Sequence, residues 1–228
     1  VETCIISCDY HIPFYDDKSL SELLSFTQKN IPNKFIIAGD FCDLYSISKY
    51  DSAPTRADEL EYELTIAREI LQKIRAISSS MGIIFIVGNH EQRLEKFLSR
   101  GKNKALYNLA CLKLENLLNF SKYNITKVEN IYRLNENFII THGSKCGLNA
   151  AQSEALSYMT NGASGHTHRE LTFKRKFLDK TIEWHSIPCM CNITDAKYAE
   201  KFNHAWSNGF AHMSYDEKAF EIKIIRTN

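Results

Sequence analysis

A chain of 228 residues with 44% hydrophobic and 24% charged residues is long enough for one large domain with a proper core, and two full domains would be crowded; the composition suggests neither disorder nor a membrane protein. A formal net charge of +1 supplies no global field for a nucleic-acid coat or an anionic membrane. No apolar run approaches the roughly 18 residues needed to span a bilayer, no signal-peptide order is present at the N-terminus, and seven scattered cysteines fit a reducing, cytoplasmic location.

In chain order, Cys4 to Cys8 reads as a strand leading into Asp9-Tyr10-His11. Pro13 then breaks the backbone before a helix expected from about Ser19 to Gln28, with Ser19 as N-cap and Glu22 completing a capping box. A second strand, Phe35 to Ala38, ends at Gly39-Asp40, so strand, helix and strand form the parallel crossover of α/β folds. After the tyrosine- and serine-rich stretch Leu44 to Asp51, a long helix is expected from about Thr55 to Ile77. Its residues Leu60, Leu64, Ala67, Ile70, Leu71, Ile74 and Ile77 make one apolar stripe that should cover the sheet.

The apolar run Ile83 to Val87 reads as a strand buried on both faces, and Gly88-Asn89-His90-Glu91 follows it directly, where an open α/β sheet places ligands. Beyond it a basic helical half (Arg93, Lys96, Arg100, Lys102, Lys104) and a leucine-rich helical half from Ala105 to Phe120 are expected. Ile131 to Leu134 and Phe138 to Thr141 form a hairpin around Asn135-Glu136-Asn137, and His142-Gly143 follows. A short helix from Asn149 to Thr160 precedes Gly165-His166-Thr167-His168. The strand-rich last third, with runs at Thr181 to Ile187, Gly209 to Tyr215 and Ala219 to Ile225, is expected to build a second sheet packed on the first.

Five of the eight histidines fall in these strand-end clusters: His11, His90, His142, His166 and His168. With Asp9, Asp40 and Asn89 they form a nitrogen and oxygen donor set that suits divalent Mn, Fe, Ni or Zn better than Ca or Mg. Eight groups are too many for one ion. Two ions about 3.5–4 Å apart, sharing a carboxylate, would use them and clamp a phosphoryl group for in-line attack.

Asp-x-His, Gly-Asp-x-x-Asp, Gly-Asn-His-Glu, His-Gly and Gly-His-x-His, in this order from Asp9 to His168, resemble the calcineurin-like metallophosphoesterases. Ile187-Pro188-Cys189-Met190-Cys191 and Trp206-Ser207-Asn208-Gly209-Phe210 look like the compact members met in phages and prophages. The resemblance implies a single-domain, four-layer α-β-β-α sandwich with mixed sheets. It implies that Asp9, His11 and His168 bind one metal, that Asn89, His142 and His166 bind the other, and that Asp40 bridges them, with Mn first among the ions. His90 would lie beside the substrate, donating a proton to the leaving oxygen or stabilising phosphoryl charge, and Asp43 would orient it. The nucleophile would be a metal-bridging hydroxide. Many members carry Asp where this chain has Glu91, a position that is not a ligand in the family.

The function that follows is metal-dependent hydrolysis of a phosphodiester or phosphomonoester. The rivals are a nuclease or nucleic-acid end-processing phosphatase, and a metal-binding scaffold without catalysis. The expected partner is a phosphoester, a nucleotide or nucleic acid among the candidates, with no membrane; substrate identity and oligomeric state are not legible. Arg93 and Asn89 are candidate substrate contacts, Arg93 having a solvated helix position as its alternative. Tyr45, Ser48, Lys49 and Tyr50 line the cleft or pack on the long helix. Lys174-Arg175-Lys176 is a solvated hairpin face or a polyanion contact. His185 and His212 are expected in strands, His204 near Trp206. Cys189 and Cys191 are expected to pack in the core, as are Cys8 and Cys42.

Overall fold

The computed structural model describes residues 1–48, 60–194 and 205–227; Lys49, Tyr50, His204 and the expected first turns of the long helix lie outside them. The chain opens with β1 (Glu2–Ser7), α1 (Asp17–Asn30), β2 (Lys34–Ile37), α2 (Leu60–Ile77) and β3 (Gly82–Ile86). Next come α3 (Gln92–Leu98), α4 (Leu114–Leu117), α5 (Phe120–Tyr123), β4 (Ile125–Val128), β5 (Ile131–Asn135), β6 (Phe138–Thr141) and α6 (Ala150–Tyr158). The last third holds β7 (Asn161–Ser164), β8 (Leu171–Lys176), β9 (Thr181–Ser186), β10 (Gly209–Tyr215) and β11 (Phe220–Arg226).

Two mixed sheets result, of order β11-β10-β1-β2-β3-β4 and β5-β6-β7-β9-β8. In the first, β1 to β4 run parallel, β10 is antiparallel to β1, and β11 is antiparallel to β10. In the second, β6, β7 and β9 run parallel, flanked by antiparallel β5 and β8.

Alternation along the strands explains the layering. Ile5, Phe35, Ile37, Ile83 and Phe85 face α1 and α2, meeting Leu20, Leu23, Leu64, Ala67, Ile70, Leu71 and Ile74. Their neighbours Cys4, Ile6, Ile36, Ile84 and Ile86 face the second sheet, against Phe138, Ile140 and Ala163. The second sheet's outer face, Ile139, Ile182 and Trp184, is covered by Ala151 and Ala155 of α6. The order is therefore helices, sheet, sheet, helix, the expected four-layer α-β-β-α sandwich. Each such fully buried Leu, Ile or Phe side chain contributes on the order of 1.5–3 kcal/mol.

Three expectations are corrected. The cap of α1 is Asp16, whose Oδ1 accepts from the Ser19 N–H at 2.7 Å, while the Ser19 hydroxyl is buried against Thr227. The leucine-rich half after α3 is not one helix. It breaks into 3₁₀ turns and the four-residue α4 and α5; Asn119, in left-handed backbone (φ 55°), separates α4 from α5, and Asn124 (φ 49°) ends α5. The C-terminal hairpin β10-β11 does not join the second sheet; it extends the first along the free edge of β1. Strands β4, β7 and β8 carry too little apolar patterning to stand out in the sequence.

The parallel strands β1, β2, β3, β6, β7 and β9 all end at one edge of the sandwich, so the loops after them meet there.

Candidate metal centre

Each strand end delivers its polar residues to this edge through tight backbone turns. Asp9 (φ 56°), His11 (50°), Asp40 (49°), His166 (70°) and His168 (57°) all lie in the left-handed region, which Asp and His tolerate better than other residues with a Cβ. Gly39 (φ 85°) precedes Asp40 because a Cβ there would fall 2.6 Å from His142 Nδ1. Gly88 has no Cβ because one would stand 2.3 Å from both the backbone nitrogen and Oδ1 of Asp40.

The structure brings together all seven residues for which the sequence suggested metal binding. Asp9, His11 and His168 form one group of mutually close ligand atoms, Asp40, His142 and His166 a second, and Asp40 also groups with His11 and His90. Asp40 is central: its Oδ2 lies 3.3 Å from His142 Nε2, 3.7 Å from His90 Nε2 and 4.0 Å from His11 Nε2. Its Oδ1 is held by the His90 backbone N–H at 2.9 Å. Asp9 is anchored likewise, Oδ2 accepting from the His166 N–H at 2.9 Å, which leaves Oδ1 turned to His168 Nε2 at 3.5 Å. Asn89 Oδ1 stands 2.9 Å from His142 Nε2.

This donor set fits divalent cations. The Ala38 carbonyl can only accept, so His142 Nδ1 at 2.9 Å carries a proton and Nε2 faces the carboxylate and amide oxygens. Without a cation the ring takes a second proton: burial opposes it, but the Asp40 carboxylate prevails and raises its pKa to about 10. His11 Nε2 and His168 Nε2 face each other at 3.1 Å, and Asp9 Oδ1 is buried with no hydrogen-bond partner among the described residues. Burial disfavours the charged form of Asp9, yet the neighbouring His168 pulls its carboxyl down to about 2. A divalent cation between such groups supplies the positive charge that protons otherwise supply.

Around this centre the geometry refines three expectations. Asp43 reaches His90 chiefly through its backbone carbonyl, 3.0 Å from Nδ1; its carboxylate stands 3.7 Å from that atom and 3.4 Å from His11 Nδ1. Arg93 is not a solvated helix residue: it donates to the Asp43 carbonyl (2.7 Å) and Oδ1 (3.0 Å), and to His90 Nε2 (2.8 Å). Burial works against a charged His90, while Asp40 and Asp43 hold its pKa above the ordinary range. Glu91, noted in the sequence only as a departure from the family at a non-ligand position, is buried at the heart of the scaffold. Its Oε2 accepts from the N–H groups of Gly88 (2.8 Å) and Asp40 (3.0 Å), and its Oε1 from that of Cys42 (2.9 Å). The only sequence signal for it is a carboxylate placed next to a strand-end histidine.

Of the remaining candidates, Tyr45 starts a 3₁₀ turn just after Asp43. His185 lies in β9 with Nε2 3.0 Å from Glu183 Oε1, and His212 lies in β10 with its ring against Phe26. Lys174 pairs with Glu183 on the exposed strand β8, which fits the solvated-face reading. Cys8 and Cys42 are core residues, and Cys189 and Cys191 are buried beside His168, against whose ring Trp206 also packs edge-on. A cleft of about 570 Å³ opens beside Asn89, His142 and His166, walled by Asn130, Ile131 and Tyr158 and by no Lys, Arg, Asp or Glu among the described residues.

Fold and site together define an α-β-β-α sandwich with a histidine and aspartate cluster at the ends of its parallel strands. A family model described as calcineurin-like phosphoesterase matches residues 9–186, and the chain belongs to that family. The chain is 23% identical over 241 residues to the Gene 54 protein of Mycobacterium phage L5 and 24% identical over 236 residues to that of Mycobacterium phage D29; each alignment covers 97% of this chain and 92% of the phage protein. Among solved structures it resembles a dimetal phosphatase from Danio rerio (TM-score 0.51, 12% identity, 100% of this chain and 97% of that one) and Vps29 from Chaetomium thermophilum (TM-score 0.50, 10% identity, 100% of both). At such identities the two structures share the fold with this chain. No helix among the described residues is long and apolar enough to cross a membrane.

Proposed function

We propose that the chain is a dimetal-dependent phosphoesterase acting on a phosphodiester or phosphomonoester. The observation that carries this reading is Asp40 Oδ2 standing between the two ligand groups, within 4.0 Å of His11, His90 and His142 at once. Asp9, His11 and His168 would hold one ion, Asn89, His142 and His166 the other, and Asp40 both; Mn is the first candidate, with Fe, Ni and Zn behind it. When bound, the ions supply Lewis acidity toward the phosphoryl oxygens and acidify the attacking water.

The chain's own residues then do the rest. His90, at the mouth of the cluster, protonates the leaving oxygen or stabilises charge on the phosphoryl group. The Asp43 carbonyl fixes its Nδ1–H, so Nε2 faces the reacting atoms; as an acid His90 carries a proton on Nε2 in place of the bond that this atom otherwise accepts from Arg93, which frees the guanidinium for a phosphate oxygen. Arg93 adds positive charge that a phosphate oxygen can recruit. The cleft beside Asn89, whose walls beyond His142 and His166 carry no Lys, Arg, Asp or Glu among the described residues, takes the neutral organic part of the ester. A nucleotide or nucleic-acid end has such a part, and the partner is proposed in those terms.

The test is hydrolysis of p-nitrophenyl phosphate and bis-p-nitrophenyl phosphate with Mn²⁺, comparing the wild type with His90→Ala and Asp40→Ala. Loss of an acid catalyst predicts a fall in kcat of about 10²–10⁴-fold for His90→Ala. A faster diester reaction would direct the search to cyclic nucleotides and nucleic acids. No turnover of either ester with two ions bound would sink the catalytic reading in favour of a scaffold.

A further inference from the structure

A second set of ligand atoms lies behind His168, unused by the proposed hydrolysis. Cys189 and Cys191 follow β9 in bridged, extended backbone, Cys189 opposite Asn208 and Cys191 opposite Tyr15. Extended backbone sends residues two apart to the same side, so both thiols face His168 while Met190 between them enters the helix-side core. The Cys189 and Cys191 sulfurs and a His168 ring nitrogen all lie within 4.8 Å of one another, all three residues being buried. Cys191 Sγ is 3.8 Å from His168 Nδ1. Bonds of about 2.3 Å to sulfur and 2.1 Å to nitrogen make the sulfur-to-nitrogen edge of a tetrahedral zinc site about 3.6 Å, so the Cys191–His168 edge is a few tenths of an ångström from coordinating length, with the other two edges inside 4.8 Å.

His168 is placed to serve both sides. Its Nε2 faces Asp9 and His11, and its Nδ1, on the other edge of the ring, faces the dithiol. Ser207 frames the same spot: its carbonyl accepts from Cys189 Sγ (3.4 Å) and its N–H donates to the His168 carbonyl (2.9 Å). The Ser207 hydroxyl is buried with no hydrogen-bond partner among the described residues, a spare polar group on a residue that already touches Cys189.

We propose that Cys189, Cys191 and Nδ1 of His168 form a further metal site, for a soft divalent cation of the zinc or cadmium type, adjoining the dinuclear centre. Thiolates select such ions over Mn, which prefers oxygen and imidazole. Two thiolates also cancel the charge of a divalent ion, which a buried site requires. Loading releases one proton from each thiol, and a third from His168 Nδ1 when Nε2 already holds an ion; the imidazolate then joins the two sites.

The test uses the full chain carrying Cys111→Ser and Cys146→Ser. Both thiols are exposed, and Cys146 Sγ lies 3.1 Å from His166 Nε2, so either could bind metal on its own. Anaerobic titration of the metal-free protein with Co²⁺ is expected to give a thiolate-to-cobalt charge-transfer band. It should bind one more equivalent of cobalt than the same chain with Cys189→Ser and Cys191→Ser added. Asp40→Ala in the first background should keep the band while losing hydrolysis, so failure of this site and failure of the hydrolytic reading are read separately. A band that is missing, or that survives the added cysteine substitutions, or an unchanged cobalt stoichiometry, overturns the proposal. Should the cysteine variants not fold, pulsed alkylation of the wild type followed by peptide mapping decides. Zinc at ten times its Kd should slow labelling of Cys189 and Cys191 about tenfold, and equal labelling with and without zinc refutes the site.

Discussion

Glu91→Gln tests the scaffold beneath the cluster apart from its chemistry. All three groups around the Glu91 carboxylate are backbone donors, at 2.8, 2.9 and 3.0 Å, so the ionised form matches them and an amide cannot. With its oxygen at the Oε2 position, glutamine keeps the bonds from Gly88 and Asp40 and turns an NH₂ on the Cys42 N–H; the reverse placement loses two bonds. A hydrogen bond to a charged group contributes about 1.5–3 kcal/mol, and an orphaned buried donor costs about 1–3 kcal/mol. Against this, burial and the nearby Asp40 charge already push the Glu91 pKa up, so neutralising it returns part of the loss. The expected net destabilisation is about 2 kcal/mol, or roughly 4–8 °C in Tm for a chain of this size. Urea denaturation in chelator isolates the fold, and calorimetric titration with Mn²⁺ should then show weaker binding, because the Cys42 N–H, two residues past Asp40 on the same loop, has lost its anchor. Glu91→Asp, about one methylene shorter, cannot span from Gly88 to Cys42 and should be destabilised too. A Glu91→Gln protein that unfolds at the wild-type urea concentration and binds Mn²⁺ unchanged would refute this account.

Glu63 offers a pH test: burial raises its carboxyl to about 8, above the ordinary value of 4.5. Between those values the folded chain holds a proton that the unfolded chain has lost, so its contribution falls as pH rises from about 4.5 to 8. Glu63→Gln, which can still accept from the Leu44 N–H, should raise Tm progressively across that window by differential scanning fluorimetry, and a constant difference would contradict it. Adding Mn²⁺ at 100 times its Kd should stabilise the chelated chain by about 2.7 kcal/mol, roughly 5–11 °C, for each ion bound, and not the Asp40→Ala variant; an equal rise in both would place the ions elsewhere. His11→Gly should be more stable than His11→Ala in chelator by about 1 kcal/mol, since a φ of 50° penalises a Cβ and both variants lose the same imidazole. Equal urea midpoints would show that the turn is not strained.

What the sequence revealed depended on what each segment has to bury. The stripe on α2 and the run before Gly88 were legible because each packs large side chains at the period of its own element. Strand β7 was not: Gly162 lies under Trp184, whose ring atom Cζ3 would be 2.5 Å from an added Cβ, so packing there demands a small residue and erases the apolar signal. Sheet membership of β10 was hidden for another reason. Ala211, Met213 and Tyr215 turn to the space between the sheets, where strands of either sheet show the same alternation, and only the long-range pairing with β1 tells them apart.

The cluster itself was legible for a reason unrelated to periodicity. Two of its motifs place a pair of candidate ligands on either side of one residue, Asp9-Tyr10-His11 and His166-Thr167-His168, with both flanking residues in left-handed backbone. Tyr10 and Thr167 turn into the protein and are buried, so the flanking side chains are presented together at the sandwich edge. That conformation costs on the order of 1 kcal/mol per residue, and here the chain offsets it with its own bonds. Asp9 and His11 donate backbone N–H groups to the Gly39 and Asp40 carbonyls at 3.0 Å, tying the first turn to the loop that carries the central aspartate. The His166 N–H ties the second turn to Asp9 Oδ2. Since these bonds use backbone groups and the outward carboxylate oxygen, they leave the inward oxygens and ring nitrogens unspent. The spacing of the motifs is therefore a record of backbone geometry, which explains why residue identity and order located the site while hydrophobic patterning could not.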